Sequence, residues 1–269
     1  MYRGFNLNFT LNDNESEEYE KQGKEIFNNF RKEIKNKIDS YSLNNGNLSA
    51  NLIINDWFPN VKADIFLSHS HKDEKTAFII AGWIYKKLGL TTFIDSAVWG
   101  YADNLIDALN YDYCYNEEKK TYDYRTSNNT CSHVNLMLLN SLNKMIDNCE
   151  CIFFLNTPNS ISSENFIKQS RTFSPWIYSE ICTTQIIKKK TPKRLKSEYK
   201  MFSTEAQLNE SKRSELLIEY DIDLSHLMDI DFESFRRWIL GNNIYSLSPL
   251  DSLYKMFPIK NNQKYKQLY

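Results

Sequence analysis

Asp64-Ile65-Phe66-Leu67-Ser68-His69-Ser70-His71-Lys72-Asp73 is the stretch on which the fold turns. Ile65, Phe66 and Leu67 form a short unbroken apolar run, the pattern of a strand buried on both faces. Polar residues follow from Ser68 to Asp73. Beyond them Ala77, Ile80, Ala81, Ile84 and Leu88 recur at helical spacing and make one apolar face, which Gly89 is placed to terminate. A buried strand that passes through a polar turn into an amphipathic helix is half of a parallel-sheet unit.

The same grammar recurs downstream. Thr91-Thr92-Phe93-Ile94 reads as a second strand, Val134 to Ile146 as a helix, and Cys151-Ile152-Phe153-Phe154-Leu155 as a third buried strand. A helix then opens at Pro175, with Ser174 as its candidate N-cap. Alternating strand and helix in this order predict an α/β fold, a parallel sheet with helices on both faces. The main domain is expected over residues 61–245, with an inserted loop near 111–131 that is crowded with Tyr, Asn and charges.

Residues 1–60 read as an accessory N-terminal strand-helix extension. Phe5, Leu7, Phe9 and Leu11 alternate with polar residues, as in a half-buried strand, and residues 15–39 carry a helical stripe of Phe27, Phe30, Ile34 and Ile38. Segment 40–56, rich in Asn and Ser, reads as a connector. Later, Ile218, Tyr220, Ile222 and Leu224 alternate as in an edge strand. A helix from near Asp231 to Gly241 and a helical tail over 246–269, packing on the domain, close the chain.

With 33 basic and 34 acidic residues the net charge is -1, so nothing draws the whole chain toward nucleic acid or an anionic membrane, and neither is an expected partner. No apolar run approaches the roughly 18 residues of a membrane span, and Met1 to Asn6 lack a signal-peptide core, so a cytoplasmic location is expected. Five cysteines, at 114, 131, 149, 151 and 182, suggest reduced thiols rather than a disulfide framework. Cys114, Cys131 and His133 match no familiar zinc spacing, and no metal is expected. There is no G-x-G-x-x-G or P-loop, so a nucleotide site here must be built without a glycine cradle.

Ligands of open parallel sheets bind beyond the carboxyl ends of the strands. Those ends are polar here: Ser68-His69-Ser70-His71-Lys72-Asp73, Asp95-Ser96 and Asn156-Thr157. The helix after the first strand could hold a pyrophosphate at its N-terminus, with Lys72 adding charge. In Trp176-Ile177-Tyr178-Ser179-Glu180 an indole and a carboxylate stand four residues apart, as helical neighbours. A bland account runs alongside: Ser and Asp cap helices, loop histidines face water, Trp176 packs in a core and Glu180 is solvated. The basic run from Lys188 to Lys196 reads either as a phosphate contact or as a solvated helix end.

Asp64 to Asp73, then Phe93-Ile94-Asp95-Ser96, then Trp176 to Glu180, in this order, resemble a Toll/interleukin-1 receptor (TIR) domain over about residues 61–245. That resemblance implies a flavodoxin-like sheet, and it puts Ala97 to Asp103 at the position of the family's BB loop. The 111–131 insertion departs from the smaller animal domains and is similar to the bacterial branch. In enzymatic members the glutamate of W-x-x-x-E is catalytic, which implies Glu180 as the residue that cleaves NAD+ at the nicotinamide–ribose bond. Phe66, Ser68, His69, Asp95 and Trp176 are the expected lining, with Trp99 or Tyr101 stacking on a ring from a mobile loop.

No cofactor is implied; NAD+ enters as substrate. The bacterial resemblance further implies antiphage defence of the Thoeris type. There, an ADP-ribose-derived signal, cyclic or conjugated, would pass to a separate messenger-sensing effector protein, with homo-oligomerisation or a phage-derived trigger as the activating event. A non-enzymatic TIR adaptor and a nucleoside N-glycosidase are the alternatives.

Overall fold

A computed structural model describes residues 1–9, 16–30, 38–161, 170–195, 218–241 and 248–259. The strands among them are β1 (Arg3–Asn8), β2 (Ile65–Ser68), β3 (Thr92–Ile94), β4 (Tyr115–Asn116), β5 (Thr121–Tyr122), β6 (Cys151–Asn156), β7 (Ser170–Thr172), β8 (Tyr220–Ile222) and β9 (Met228–Asp231). The α-helices are α1 (Ser16–Phe30), α2 (Ala50–Trp57), α3 (Glu74–Leu88), α4 (Ser96–Tyr113), α5 (Tyr124–Asn148), α6 (Pro175–Ile186), α7 (Phe232–Gly241) and α8 (Pro249–Met256).

Five strands form one parallel sheet in the order β3-β2-β6-β1-β9, flanked by helices, so the chain is α/β. Side-chain alternation splits the apolar runs between two cores, which is why those runs read as continuous. Ile65 and Leu67 of β2, with Phe153 and Leu155 of β6, face α1, α3, α7 and α8. Phe66, Phe93 and Ile152 face α2, α4 and α5. Gly89 ends α3 in the left-handed conformation, at φ 68°, as expected of a glycine cap.

The N-terminal segment is no accessory layer. β1 lies inside the sheet, between β6 and β9, and is buried from Arg3 to Leu7. The alternation in this segment suggested a wet face, but Asn6 is 7% exposed and its Nδ2 donates to Asp229 Oδ1 of β9 at 2.8 Å. Asn6 thus pairs across strands instead of facing water, while Asn8 at the strand end is exposed. α1 then crosses α3 at backbone contact: a Cβ on Gly23 would overlap the Phe78 carbonyl, and one on Gly82 the Tyr19 carbonyl. The supposed connector also contains α2, opened by Ser49, whose Oγ accepts from the Leu52 N–H.

Three further expectations are corrected. Residues 97–103 belong to helix α4 rather than to a loop. The 111–131 insertion is a continuation of α4, the β4–β5 hairpin and the first turns of α5, not an irregular loop. In β8 Ile222 is buried but Tyr220 and Asp221 are both half-buried and Ile218 before it is exposed, so the expected alternation is weak, and the strand pairs antiparallel with β7 in a separate ribbon; β9, which sequence reading missed, forms the edge of the main sheet. Among the described residues, no helix is long and apolar enough to cross a membrane.

Candidate functional site

Helix α6 is positioned from its first residue. Ser174 Oγ accepts from the Ile177 N–H at 3.3 Å, and Pro175 occupies the first helical turn, where its missing N–H costs nothing. Ile177 and Ile181 then pack with Phe154, Ile222 and Leu227 in a third apolar cluster. Their burial turns the opposite side of α6, with Trp176, Glu180 and Thr183, toward α5 and the strand ends; Thr183 Oγ1 donates to Asn143 Oδ1 of α5 at 2.7 Å.

Glu180 thereby meets the ends of β2 and β3. Ser68 Oγ donates to Glu180 Oε2 at 2.5 Å, and His69 Nδ1 lies 2.6 Å from Asp95 Oδ1. The Asp95 and Glu180 carboxyls lie close enough to act on each other, and Glu180 Oε1 has no hydrogen-bond partner among the described residues. Ser68, His69 and Asp95 are 0% exposed and Glu180 is 1% exposed. The four side chains form one sealed polar cluster at the carboxyl ends of adjacent strands.

Burial dominates its electrostatics. Desolvation pushes the Glu180 carboxyl well above the usual carboxylate range, and the neighbouring Asp95 charge pushes it further in the same direction; the Ser68 hydroxyl opposes both. Desolvation also raises Asp95. The His69 imidazole is pushed down to about 4 by burial, against the charges of Glu180, Glu74 and Asp73, so the ring is neutral at physiological pH. With the ring neutral, the close His69–Asp95 contact is a polar contact and not a full ion pair. Two carboxyls in contact cannot both ionise, so the Asp95–Glu180 pair retains a proton.

The other expected residues fall around this cluster. Phe66 lies on the same face of β2 as Ser68 and is 0% exposed in the second core, its ring 5.4 Å from that of Phe93. Trp176 and Tyr101 are half-buried against the same core. Tyr101 is on helix α4, not on a mobile loop, and the side chain of Trp99 lies outside the described residues.

Asp73, quoted above only as part of the polar turn, has a role that sequence reading missed. Its Oδ2 accepts from Thr157 Oγ1 at 2.5 Å and its Oδ1 from Asn159 Nδ2 at 2.7 Å, which ties the ends of β2 and β6 together. The polarity of both strand ends was the available signal. Asp73 and Glu74 also put two carboxylates at the start of α3, which opposes the pyrophosphate expected there. In the basic run, Arg194 pairs with Glu150 and Asp251, and Lys190 with Asp147. Among the described residues no group of three or more His, Cys, Asp or Glu side chains is placed to hold a metal; Cys114 is buried, its sulfur 3.6 Å from Thr130 Oγ1.

No protein-family model, curated protein or solved structure matches the chain.

Proposed function

We propose that this chain is a TIR-type NAD+ glycohydrolase or cyclase on a flavodoxin-like sheet, with Glu180 as its catalytic residue. The observation that carries this reading is the inward placement of Glu180 against Ser68 and Asp95 at adjacent strand ends, where ligands of such sheets bind. The nicotinamide of NAD+ is a cationic pyridinium. When its bond to the ribose breaks, the bonding pair stays on the ring nitrogen and nicotinamide leaves neutral, so no general acid is required. Glu180 would stabilise the oxocarbenium-like charge that grows on the sugar. A pyridinium beside the carboxyl pair also favours the ionised form of Glu180, and so prepares the anion that the reaction needs.

Because Glu180 is 1% exposed, turnover requires this end of the sheet to open, and we assign that opening to self-assembly or to a phage-derived trigger. Water attacking the ribose would yield ADP-ribose, and an internal nucleophile a cyclic isomer, as the signal for a separate effector in Thoeris-type defence. The test is nicotinamide release from NAD+ by the purified protein, with and without extract of infected cells. Release that is abolished in Glu180→Gln supports the reading; absence of release in both settings overturns it.

One observation favours a second reading, a non-enzymatic interaction module: the Ser68, His69, Asp95 and Glu180 side chains engage one another in a cluster sealed from solvent. Folding and partner capture that persist in Glu180→Gln, with no NAD+ turnover by the parent protein, would support it.

A further inference from the structure

The 111–131 insertion contributes nothing to the Glu180 cluster, yet it builds a cleft of its own. The end of α4, the β4–β5 hairpin and the first turn of α5 surround a space of about 860 Å³ bounded by Asp107, Asn110, Tyr111, Asp112, Tyr122 and Ser127. Its aromatic wall is held in place by ring contacts. Tyr115 stacks on Tyr111 with centroids 5.9 Å apart and planes 11° apart, and also meets the Tyr122 ring at 5.1 Å. Even so, Tyr111 remains 66% exposed and Tyr122 53% exposed. Partly exposed, mutually stacked tyrosine rings of this kind are typical of recognition surfaces.

The polar groups point to the chemistry of the occupant. Asn110 Oδ1 and Ser127 Oγ are buried and accept no hydrogen bond among the described residues. Asp107 and Asp112 add two carboxylates, and no Lys or Arg borders the cleft. Unpaired acceptors, carboxylates and aromatic faces together complement a planar cation with several N–H donors. An ammonium, a compact point charge, would use the ring faces and the spread of acceptors less fully.

We propose that this cleft binds a guanidinium group, stacked on a tyrosine ring and donating to the Asp107 and Asp112 carboxylates. The site is separate from Glu180 and independent of the proposed NAD+ chemistry. The group has two possible sources, an arginine side chain presented by a partner protein or a free guanidino compound, and the test separates them.

The full chain is titrated with agmatine, with a capped Gly-Arg-Gly peptide and with the same peptide carrying citrulline, while backbone-amide and tyrosine-ring NMR shifts are followed. Saturable shifts over residues 107–127 are expected with the guanidinium probes, at least about tenfold weaker with citrulline and in Asp107→Asn/Asp112→Asn. Tyr111→Ala weakens binding as well, and Glu180→Gln leaves it unchanged. Tighter binding of the arginine peptide assigns the site to a protein partner; agmatine binding as tightly assigns it to a free compound. No saturable shift with either guanidinium probe, or equal binding of the citrulline peptide, overturns the proposal. An unchanged amide spectrum away from the cleft shows that the surface variants are folded.

Discussion

Ser68 and Glu180 stand 112 positions apart in the chain and are joined by a 2.5 Å hydrogen bond, with both side chains sealed from solvent. A buried carboxyl held by one hydroxyl and one further carboxyl is stable chiefly as the protonated acid. The site is therefore held at a cost in stability, which makes its role measurable apart from any turnover assay.

Glu180→Gln keeps the acceptor for Ser68 and supplies an amide donor toward Asp95, while removing the charge. A raised carboxyl pKa contributes stability that is full below the unfolded value, about 4.3 for Glu, and is lost as pH rises toward the folded value. The parent protein should lose stability on this account as pH rises, and the variant should not. We expect Glu180→Gln to be the more stable of the two at pH 8, by roughly 1 kcal/mol or about 2–4 °C in Tm, with the gap closing toward pH 5. Thermal unfolding at both pH values measures it; a gap that widens toward pH 5 would contradict the assigned protonation.

His69 titrates in the opposite sense. Its folded pKa is pushed down to about 4 from an ordinary value near 6.5, so the unfolded chain takes up a proton that the folded one refuses as pH falls through that window. His69→Gln should reduce the loss of stability between about pH 6.5 and pH 4 relative to the parent. Urea titrations at the two ends of the window provide the comparison, and an unchanged slope would count against a buried neutral imidazole.

The α1–α3 crossing admits no side chain at its closest point. Gly82→Ala brings a methyl group into the Tyr19 carbonyl, and Gly23→Ala into that of Phe78, so the helices must separate. Each substitution should cost about 2–3 kcal/mol in urea unfolding, and the pair should cost less than the sum because one separation relieves both clashes. A loss under about 0.5 kcal/mol, the usual range for surface changes, would show that the crossing is looser.

A chain beginning at residue 61 lacks β1, whose neighbours β6 and β9 would lose their shared partner. We expect such a chain to be insoluble or to unfold without a cooperative transition. A sharp, reversible melt would instead mean that residues 61–245 form a self-sufficient unit.

What the sequence determined by itself is local. The unbroken apolar runs at Ile65 to Leu67 and Cys151 to Leu155, the Ser174–Pro175 start of α6 and the Gly89 stop of α3 each follow from chemistry within a few residues, and all are present in the structure. The polar strand ends that form the candidate site were legible for the same reason. Tertiary structure alone decided the strand order. The place of β1 between β6 and β9 depends on Asn6 meeting Asp229 and on Gly23 meeting α3, contacts between residues far apart in the chain that no local pattern encodes. It also decided the protonation of Glu180, because desolvation depends on what packs around a carboxyl, and the Ser68, His69 and Asp95 side chains that seal it arrive from the ends of β2 and β3.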